Sequence, residues 1–381
     1  MEVNGLLIEK ERIYLDNKYQ LDHTSGNNSL LSLAMQYIRK NRTILDSTNT
    51  FSAFETNKLI QIWLQTPVCK FSQMGKCTIC NYWAGQKIPG LITQMQKSIV
   101  IPQNVNTILI NTCGSCLDTN ELTIGEQELL LQWLNEQAVE NIILETHMST
   151  LSEYTVQRVR KILPHKRLFF EIGQESIDRD VQFYSLNKPL SEKGRSVIID
   201  RLHRYGAGCI INVVLGAPFL NEEEQVWDAI ESINQLLQEN TDYIMLFPVN
   251  IKPNTLVYIL YKMGLYDIVD SNMIAKVLDA LPEKFLPKVD VAWYGEHQES
   301  GVISPYIPNV YKREFLAILS AYNSSESAIE RKQQVKILRE KGNSWKLEDR
   351  KLTTESSFVE RLDKAYQLLY ERIPIFKGNK T

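Results

Sequence analysis

Six short apolar segments that alternate with amphipathic helical segments constrain the fold of this chain most strongly. Continuous apolar runs between amphipathic helices are typical of parallel strands that are buried on both faces. Six such units are fewer than a closed eight-stranded barrel needs, so they predict a partial (β/α)6 barrel of the α/β class. The predicted strands are 59–65, 107–111, 141–145, 167–173, 209–216 and 243–247.

The same pattern divides the 381 residues into three predicted parts. Residues 1–55 form an N-terminal extension with a helix at 30–42, and residues 56–284 form the barrel. Residues 285–381 form a mostly helical C-terminal flank or lid, which begins with one more strand at 289–293. A chain of this length can bury the core of one large α/β domain and a smaller appendage.

Charge and hydropathy exclude some classes of partner. The formal net charge of −3 gives no bulk attraction to nucleic acid, although it leaves room for a local basic patch. No apolar run approaches the roughly 20 residues that a membrane-spanning helix needs. Neither end reads as a targeting or lipidation signal, and we therefore expect a cytoplasmic protein without membrane contact.

Three of the six cysteines follow the first predicted strand with the spacing C-x7-C-x2-C, at Cys69, Cys77 and Cys80. Three thiolates can hold three irons of a [4Fe–4S] cube and leave the fourth iron open, whereas electron-transfer clusters usually close all four positions. An open iron can chelate the amino and carboxylate groups of S-adenosylmethionine (SAM). The loop also lies at a C-terminal strand end, where parallel α/β barrels place their active residues.

Other interpretations of the three cysteines remain open. A structural zinc site normally has four Cys or His ligands, but this loop has one C-x2-C pair and no nearby histidine. A redox dithiol would need only Cys77 and Cys80, which leaves Cys69 without a role. A disulfide does not suit the expected reducing compartment. We favour the open cluster over these alternatives.

Seven short motifs follow one another along the predicted barrel. With them the chain resembles the radical SAM superfamily over about residues 59–280, and within it the branch of the archaeosine-forming lyase and, more distantly, the elongator catalytic subunit. The resemblance implies a radical SAM fold with a [4Fe–4S] cluster and SAM as cofactors. The motifs are GKCTICNYW (75–83), TCGSCLD (112–118), LET (144–146), EIGQES (171–176), LNK (186–188), LGAPFL (215–220) and PNTL (253–256).

The chain departs from this branch at two places. His147, Met148 and Ser149 stand where the branch usually has Arg-Pro-Glu. Cys113 and Cys116 replace residues that are commonly Ser and Phe. We also find no cysteine-rich C-terminal segment of the kind that accompanies the archaeosine lyase. The resemblance therefore extends to the cofactors, and it does not identify the substrate.

The resemblance places the methionine amino group of SAM at the turn of Gly114 and Ser115, because a backbone acceptor beside a glycine suits that contact; an ordinary βα turn is the alternative. Glu145 and Glu171 end apolar strands, where a buried acid needs a partner. SAM offers an ammonium and ribose hydroxyls, while a barrel Lys or Arg would serve equally. The further candidates for SAM contacts are Tyr82, Glu175, Ser176, Gly216 and Asn250.

The remaining candidates concern the substrate. We predict His147 as a substrate contact or proton-transfer group, or else as a satisfied polar residue at a strand end. Cys113 is a candidate hydrogen-atom donor, and with Cys116 it could bind part of an auxiliary cluster; passive small residues are the alternative. A polar and aromatic group could line a substrate pocket and comprises Trp293, Tyr294, Glu296 and His297.

Three functions follow in order of preference. The first is a radical SAM enzyme that cleaves SAM and abstracts hydrogen from a small-molecule substrate, with an electron donor such as flavodoxin or ferredoxin. The second is the same chemistry on a tRNA nucleoside, which the acidic net charge disfavours because RNA affinity needs clustered Lys and Arg. The third is a noncatalytic metal-binding protein, which would leave the strand-end acids and glycine turns unexplained.

Overall fold

A computed structural model describes residues 5–40, 50–56, 58–82, 85–188, 190, 192–292, 301–347, 352 and 356–373. Within these residues, eight strands form one sheet in the order of the chain. The first strand is antiparallel to the second, and each later strand is parallel to its predecessor. The strands are β1 (Phe51–Thr56), β2 (Leu59–Leu64), β3 (Thr107–Asn111), β4 (Asn141–Thr146), β5 (Arg167–Glu175), β6 (Gly208–Leu215), β7 (Tyr243–Pro248) and β8 (Val289–Val291).

The crossover helices pack on one face of this sheet. Consecutive parallel strands with right-handed connections put every crossover on the same side, and the sheet curls into an open half-barrel. This architecture confirms the predicted partial barrel. The outer helices are α4 (Leu91–Ser98), α5 (Ile124–Glu136), α6 (Glu153–Ile162), α7 (Glu192–Arg204), α8 (Glu222–Gln238) and α10 (Ser271–Ala280). Two short helices lie elsewhere: α3 (Lys70–Gln73) follows β2, and α9 (Leu256–Lys262) belongs to a second hydrophobic cluster.

Alternate residues of each strand face either these helices or the concave side of the half-barrel. Ile142 and Leu144 of β4 and Phe170 of β5 are fully buried in the core that the sheet shares with the outer helices. Glu145 directly follows Leu144, and Glu171 directly follows Phe170. Both carboxylates therefore point to the concave side.

All six predicted strands are present, and their ends differ from the prediction by at most two residues. β8 corresponds to the strand predicted at 289–293. Sequence analysis missed β1, because Phe51–Thr56 has no continuous apolar run and pairs only at the sheet edge. β1 crosses the predicted boundary between the extension and the barrel, and the division into three parts stays a prediction.

The two ends of the chain pack together beside the barrel. α1 (Glu9–Tyr19), α2 (Ser29–Lys40) and α13 (Phe358–Arg372) share a second hydrophobic cluster with the turns that follow β5 and β6. The Tyr366 hydroxyl of α13 donates to the Tyr184 carbonyl at 2.6 Å. Two further helices, α11 (Lys312–Ser324) and α12 (Ala328–Gly342), pack near α10 and β8.

None of the helices in the described part of the chain is both long and apolar enough to cross a bilayer.

Candidate active site

The three predicted cluster cysteines lie in one loop at the C-terminal end of β2. Cys69 immediately precedes α3, and Cys77 has a left-handed backbone with a φ of 61°. Thr78 ties the loop to the turn after β5, because its N–H donates to the Leu186 carbonyl at 3.2 Å and its hydroxyl donates to the Ser185 carbonyl at 2.9 Å. The protein itself thus fixes the backbone that carries these cysteines.

Cys69 is buried, Cys77 and Cys80 are half-buried, and the thiols lie near cations. Burial raises the pKa of Cys69 to about 11 and that of Cys77 to about 12, and it also raises the pKa of Cys80. The charge of Lys188 opposes this shift at Cys77, and the charge of Lys252 opposes it at Cys80. Thiols with such pKa values are protonated at neutral pH, so metal binding must release protons.

The turn of Gly114 and Ser115 lies directly against Cys69. A Cβ on Gly114 would be 2.8 Å from the Cys69 sulfur, which only glycine avoids. The N–H groups of Gly114 and Ser115 donate to the Glu121 carboxylate at 3.0 and 2.8 Å, and Thr66 Oγ1 donates to it at 2.7 Å. The Ser115 carbonyl already accepts from the Asp118 N–H at 3.0 Å, so the Gly114 carbonyl is the candidate acceptor for the predicted amino contact.

Glu121 is a site residue that sequence analysis missed. It is 5% exposed, and burial raises its pKa to about 7. It follows a polar loop rather than a strand, so neither its spacing nor its neighbours distinguish it from a surface acid. Only the fold brings its carboxylate to the turn beside the cysteine loop.

Four polar side chains cross adjacent strands on the concave side, and we call Asn111, Glu145, Glu171 and Asn212 the acid row. Asn111 Nδ2 donates to Glu145 at 2.7 Å, and the Asn212 side chain hydrogen-bonds to Glu171. Glu145 and Glu171 are directly paired in the register of β4 and β5. The amide oxygens of Asn111 and Asn212 are buried and have no hydrogen-bond partner among the described residues.

The acid row lacks a countercharge. Burial raises the pKa of both Glu145 and Glu171, and the charge of Glu171 raises that of Glu145 further. In the part of the chain that the structure describes, neither carboxylate forms an ion pair with Lys or Arg. The row therefore presents acceptors, and a ligand rich in hydrogen-bond donors or positive charge would suit it.

Glu175 differs from the acid row because it has a cationic partner. The Lys188 ammonium lies 2.7 Å from Glu175 Oε1, and the Lys188 side chain is almost fully buried. A Cβ on Gly173 would lie 2.6 Å from the same carboxylate oxygen, so the glycine makes room for the pair. Sequence analysis gave Lys188 no role, although it ends the motif LNK.

A cavity of about 320 Å³ opens beside this ion pair. Lys188 and Gly173 line one part of it, while Phe71 and His147 line the part next to the cysteine loop. Aliphatic residues of α7 complete the wall, including Ile198. The cavity thus combines one buried charge with a mainly apolar lining, which is typical of small-molecule sites.

His147 contacts a predicted cluster ligand. Its Nε2 lies 3.3 Å from the Cys69 sulfur, and burial lowers its pKa to about 3. Single ligand atoms of Cys69, Glu121 and His147 lie within 4.8 Å of one another. The imidazole thus lies between the cysteine loop and the cavity, and its predicted contact with a substrate stays a prediction.

Two other candidates lie near the loop. The Lys252 ammonium is 4.3 Å from the centroid of the Tyr82 ring, and the Tyr82 N–H donates to the Cys80 sulfur at 3.4 Å. The amide oxygen of Asn250 is buried without a hydrogen-bond partner among the described residues. Both side chains remain candidates for contacts with an adenine.

Two further candidates are engaged elsewhere in the fold. The Ser176 hydroxyl donates to Asp228 of α8 at 2.6 Å and is not part of the acid row. Gly216 has a φ of 115°, and its carbonyl accepts from the Tyr266 hydroxyl at 2.8 Å. A Cβ there would be 2.5 Å from a Val269 methyl group. Packing alone thus requires glycine at 216.

Cys113 and Cys116 have different surroundings despite their C-x2-C spacing. The position of a Cβ on Gly85 would be 2.9 Å from the Cys113 sulfur, so this thiol lies beside the cysteine loop. Cys116 belongs to the core on the helix-facing side. The predicted group of Trp293, Tyr294, Glu296 and His297 lies outside the described residues.

No family model matches the chain. Two of the known proteins to which it is similar carry the same name. Archaeosine synthase subunit beta of Methanosarcina acetivorans is 24% identical over 217 residues, which cover 55% of this chain and 62% of the relative. The protein of that name from Thermococcus kodakarensis is 27% identical over 182 residues, or 45% and 56% of the two chains. This chain resembles the radical SAM superfamily. These two relatives confirm the resemblance to the archaeosine branch that the motifs predicted.

The chain spans less than two thirds of the length of these curated relatives. The crystal structure of methylornithine synthase superposes with a TM-score of 0.42 at 14% identity, over 90% of this chain and 94% of that one.

Proposed function

We propose that this protein is a radical SAM enzyme that acts on a small molecule. Cys69, Cys77 and Cys80 would hold a [4Fe–4S] cluster, and SAM would bind between the cysteine loop and the acid row. When bound, the reduced cluster supplies the electron that splits SAM into methionine and a 5′-deoxyadenosyl radical, which takes a hydrogen atom from the substrate. A flavodoxin or ferredoxin would serve as the electron donor.

One juxtaposition carries this proposal: a loop with three thiols follows β2, and the neighbouring strands carry a row of acceptors that has no countercharge among the described residues. The thiols are close enough for the charge on each of Cys69 and Cys80 to affect the pKa of Cys77. The unpartnered oxygens of Asn111 and Asn212 lie on the same concave side. A metal site that served only structure would need no such acceptors.

The chain offers a partner for each polar group of SAM. Lys188 is a buried cation near Cys77 and suits the carboxylate, while Glu175 holds its ammonium in place at 2.7 Å. The Gly114 carbonyl oxygen suits the SAM ammonium. The acid row can accept hydrogen bonds from the ribose hydroxyls. Burial of these groups would also keep water away from a reactive radical.

The small-molecule substrate is supported by the cavity beside Lys188 and His147. Its volume of about 320 Å³ matches a metabolite-sized ligand, and it adjoins the cysteine loop. A substrate held there would lie close to the SAM site, and proximity of this kind is the main contribution a protein makes to cofactor chemistry.

A tRNA nucleoside is the second candidate substrate, and the name of the two archaeosine synthase relatives favours it. Total tRNA in a filter-binding assay at physiological salt distinguishes the two. We expect weak binding that fades steeply with salt, because the net charge is −3. Low-micromolar binding together with faster formation of 5′-deoxyadenosine would establish the nucleoside substrate instead.

Anaerobic reconstitution with iron and sulfide tests the proposed enzyme. The wild-type protein should bind about four irons per chain, and with dithionite and SAM it should slowly form 5′-deoxyadenosine, which mass spectrometry detects. Cys77→Ala should lose the cluster. Cys209→Ala is the matched control, because it makes the same substitution at a cysteine of β6 within the helix-facing core.

Two outcomes would contradict the proposal. A full cluster in the triple alanine variant of Cys69, Cys77 and Cys80 would refute the ligand assignment. A cluster-replete, reduced protein that binds no SAM and forms no 5′-deoxyadenosine would favour the noncatalytic metal-binding protein. Circular dichroism of each variant shows whether a lost cluster reflects a lost ligand or a lost fold.

A further inference from the structure

We propose that His147 donates a hydrogen bond from Nε2 to the Cys69 sulfur and thereby raises the reduction potential of the cluster. The inference rests on the proposed function, since it needs Cys69 as an iron ligand. His147 Nε2 lies 3.3 Å from Cys69 Sγ. It makes His147 a positioning residue for the metal centre.

The His147 ring is held in this orientation from two sides. On one side, its backbone carbonyl accepts from the Thr150 N–H at 3.0 Å and from the Thr150 hydroxyl at 2.8 Å, which fixes the turn after β4. On the other side, the Phe71 ring packs edge to face with the imidazole, with 4.8 Å between the centroids. Phe71 is two residues from Cys69, so the ring and its acceptor belong to one packed unit.

The same turn is tied to the residues beside the cysteine loop. The Ser115 hydroxyl lies 2.6 Å from Thr146 Oγ1 and 3.0 Å from Thr150 Oγ1, in a buried network of hydroxyl groups. Ser115 follows Gly114, which packs against Cys69. The distance between the imidazole and the sulfur is therefore set by the surrounding fold and does not depend on a flexible loop.

Metal binding determines the direction of this hydrogen bond. An iron-bound cysteine is a thiolate and has no proton to donate. The contact between its sulfur and a ring nitrogen can then form only if Nε2 carries the proton, which assigns the neutral imidazole to this tautomer. Ligand-bound sulfurs commonly receive such hydrogen bonds from residues around a metal site.

The expected consequence follows from charge. The reduced cluster carries one more negative charge than the oxidised cluster, so a donor to its sulfur stabilises the reduced form more strongly. Hydrogen bonds to the sulfurs are among the factors that set the potentials of iron–sulfur clusters. Removal of the N–H should therefore lower the potential and leave a smaller reduced fraction at a fixed solution potential.

A mononuclear metal site made of Cys69, Glu121 and His147 is the competing interpretation, because their ligand atoms lie within 4.8 Å of one another. Glu121 is already the acceptor for Gly114, Ser115 and Thr66. This engagement favours the hydrogen bond over the metal site. Zinc and iron analysis of the reconstituted protein separates the two.

The test is a redox titration of the reconstituted full chain, monitored by the paramagnetic signal of the reduced cluster. His147→Leu removes the donor, while His147→Gln keeps an N–H on a side chain of similar reach. Met148→Leu is the matched control, because Met148 lines the same cavity and its side chain has no N–H to donate. We expect His147→Leu to lower the ratio of reduced to oxidised cluster about tenfold at fixed potential, or about 59 mV for one electron.

His147→Gln should recover most of that ratio, and Met148→Leu should match the wild type. Wild-type protein with 15N-labelled histidine provides a second readout that needs no variant: the reduced cluster should show a nitrogen hyperfine coupling. An unchanged potential in His147→Leu with four irons, no such coupling, or bound zinc would overturn the inference. A wild-type chain that assembles no cluster would instead refute the proposed function on which it rests.

Discussion

Leu144 and Glu145 are neighbours in β4, but they face opposite sides of the half-barrel. Leu144 is completely buried among apolar side chains of the sheet and the outer helices. Glu145 points to the concave side, where its hydrogen-bond partner is Asn111 and its register partner is a second acid, Glu171. In β4, Leu144 thus stabilises the core, whereas the next residue, Glu145, belongs to a polar row that destabilises the fold.

The helix-facing side of the sheet stabilises the fold, whereas the concave side carries the residues proposed for function. Buried polar groups are normally satisfied, and buried acids normally have a countercharge. In β4 the helix-facing residues Ile142 and Leu144 are apolar and follow this rule, whereas the acid row violates it. Such a violation persists when a ligand supplies what the protein lacks. The two sides should therefore respond to substitution with opposite signs.

The largest expected effect contrasts the two neighbours directly. Leu144→Ala should lower the free energy of unfolding by about 2–5 kcal/mol, because it leaves a cavity in a closely packed core. Glu145→Gln keeps the shape and removes an acid whose raised pKa opposes folding at neutral pH, so it should not destabilise the metal-free protein there. Urea denaturation of the metal-free protein measures both. An equal loss of stability in the two variants would show that the two sides of β4 do not differ in this way.

The second prediction concerns pH. Because the folded-state pKa values of Glu145 and Glu171 are raised, the folded chain retains protons that the unfolded chain releases above the usual pKa of about 4.3. Unfolding therefore becomes easier as the pH rises from about 4.3 through neutrality. Glu145→Gln or Glu171→Gln should flatten this fall in stability by about 2 kcal/mol.

Unfolding curves at a series of pH values between 5 and 8 provide the measurement, again with metal-free protein. Glu136→Gln is the matched control, because it makes the same substitution at an exposed position of α5. Gln127→Glu would be a poor control, because Gln127 is buried in the packing of the same helix. Glu136→Gln should leave the pH dependence unchanged. A steeper fall in the acid-row variants would show that their pKa values are not raised.

Sequence reasoning found the strands and the loop because both depend on local patterns. Apolar runs and the cysteine spacing are visible in a few consecutive residues, and Glu145 was found because it ends such a run. Asn212, Glu121 and Lys188 were missed as site residues. Asn212 lies within the apolar run of β6, and only its register opposite Gly173 brings it beside the acid row. Contacts between distant segments leave no comparable local signal.

The third prediction uses an unpartnered group of the acid row. Asn212→Ala should weaken SAM binding to the reconstituted protein about three- to tenfold, which corresponds to one lost hydrogen bond of about 0.5–1.5 kcal/mol. Equilibrium dialysis with labelled SAM gives the affinity. Asn234→Ala is a suitable control, because its side chain also has an unpartnered buried oxygen but lies on the outer helix α8. Equal losses in both would argue against SAM contact with the acid row.

The smallest expected effect compares two cysteines that are three residues apart. Cys116 packs in the helix-facing core, so Cys116→Ala should reduce stability by about 1 kcal/mol through the lost packing. Cys113 lies beside the cysteine loop, where the charge on Cys80 acts on its thiol, yet three ligands already suffice for an open cluster. The double alanine variant should therefore keep about four irons per chain.

Iron and sulfide analysis decides the point: a wild type with eight irons and a double variant with four would mean that these two cysteines bind an auxiliary cluster. A variant that loses its only cluster would place Cys113 among the cluster ligands, and Cys113 would then belong to the active site together with the acid row.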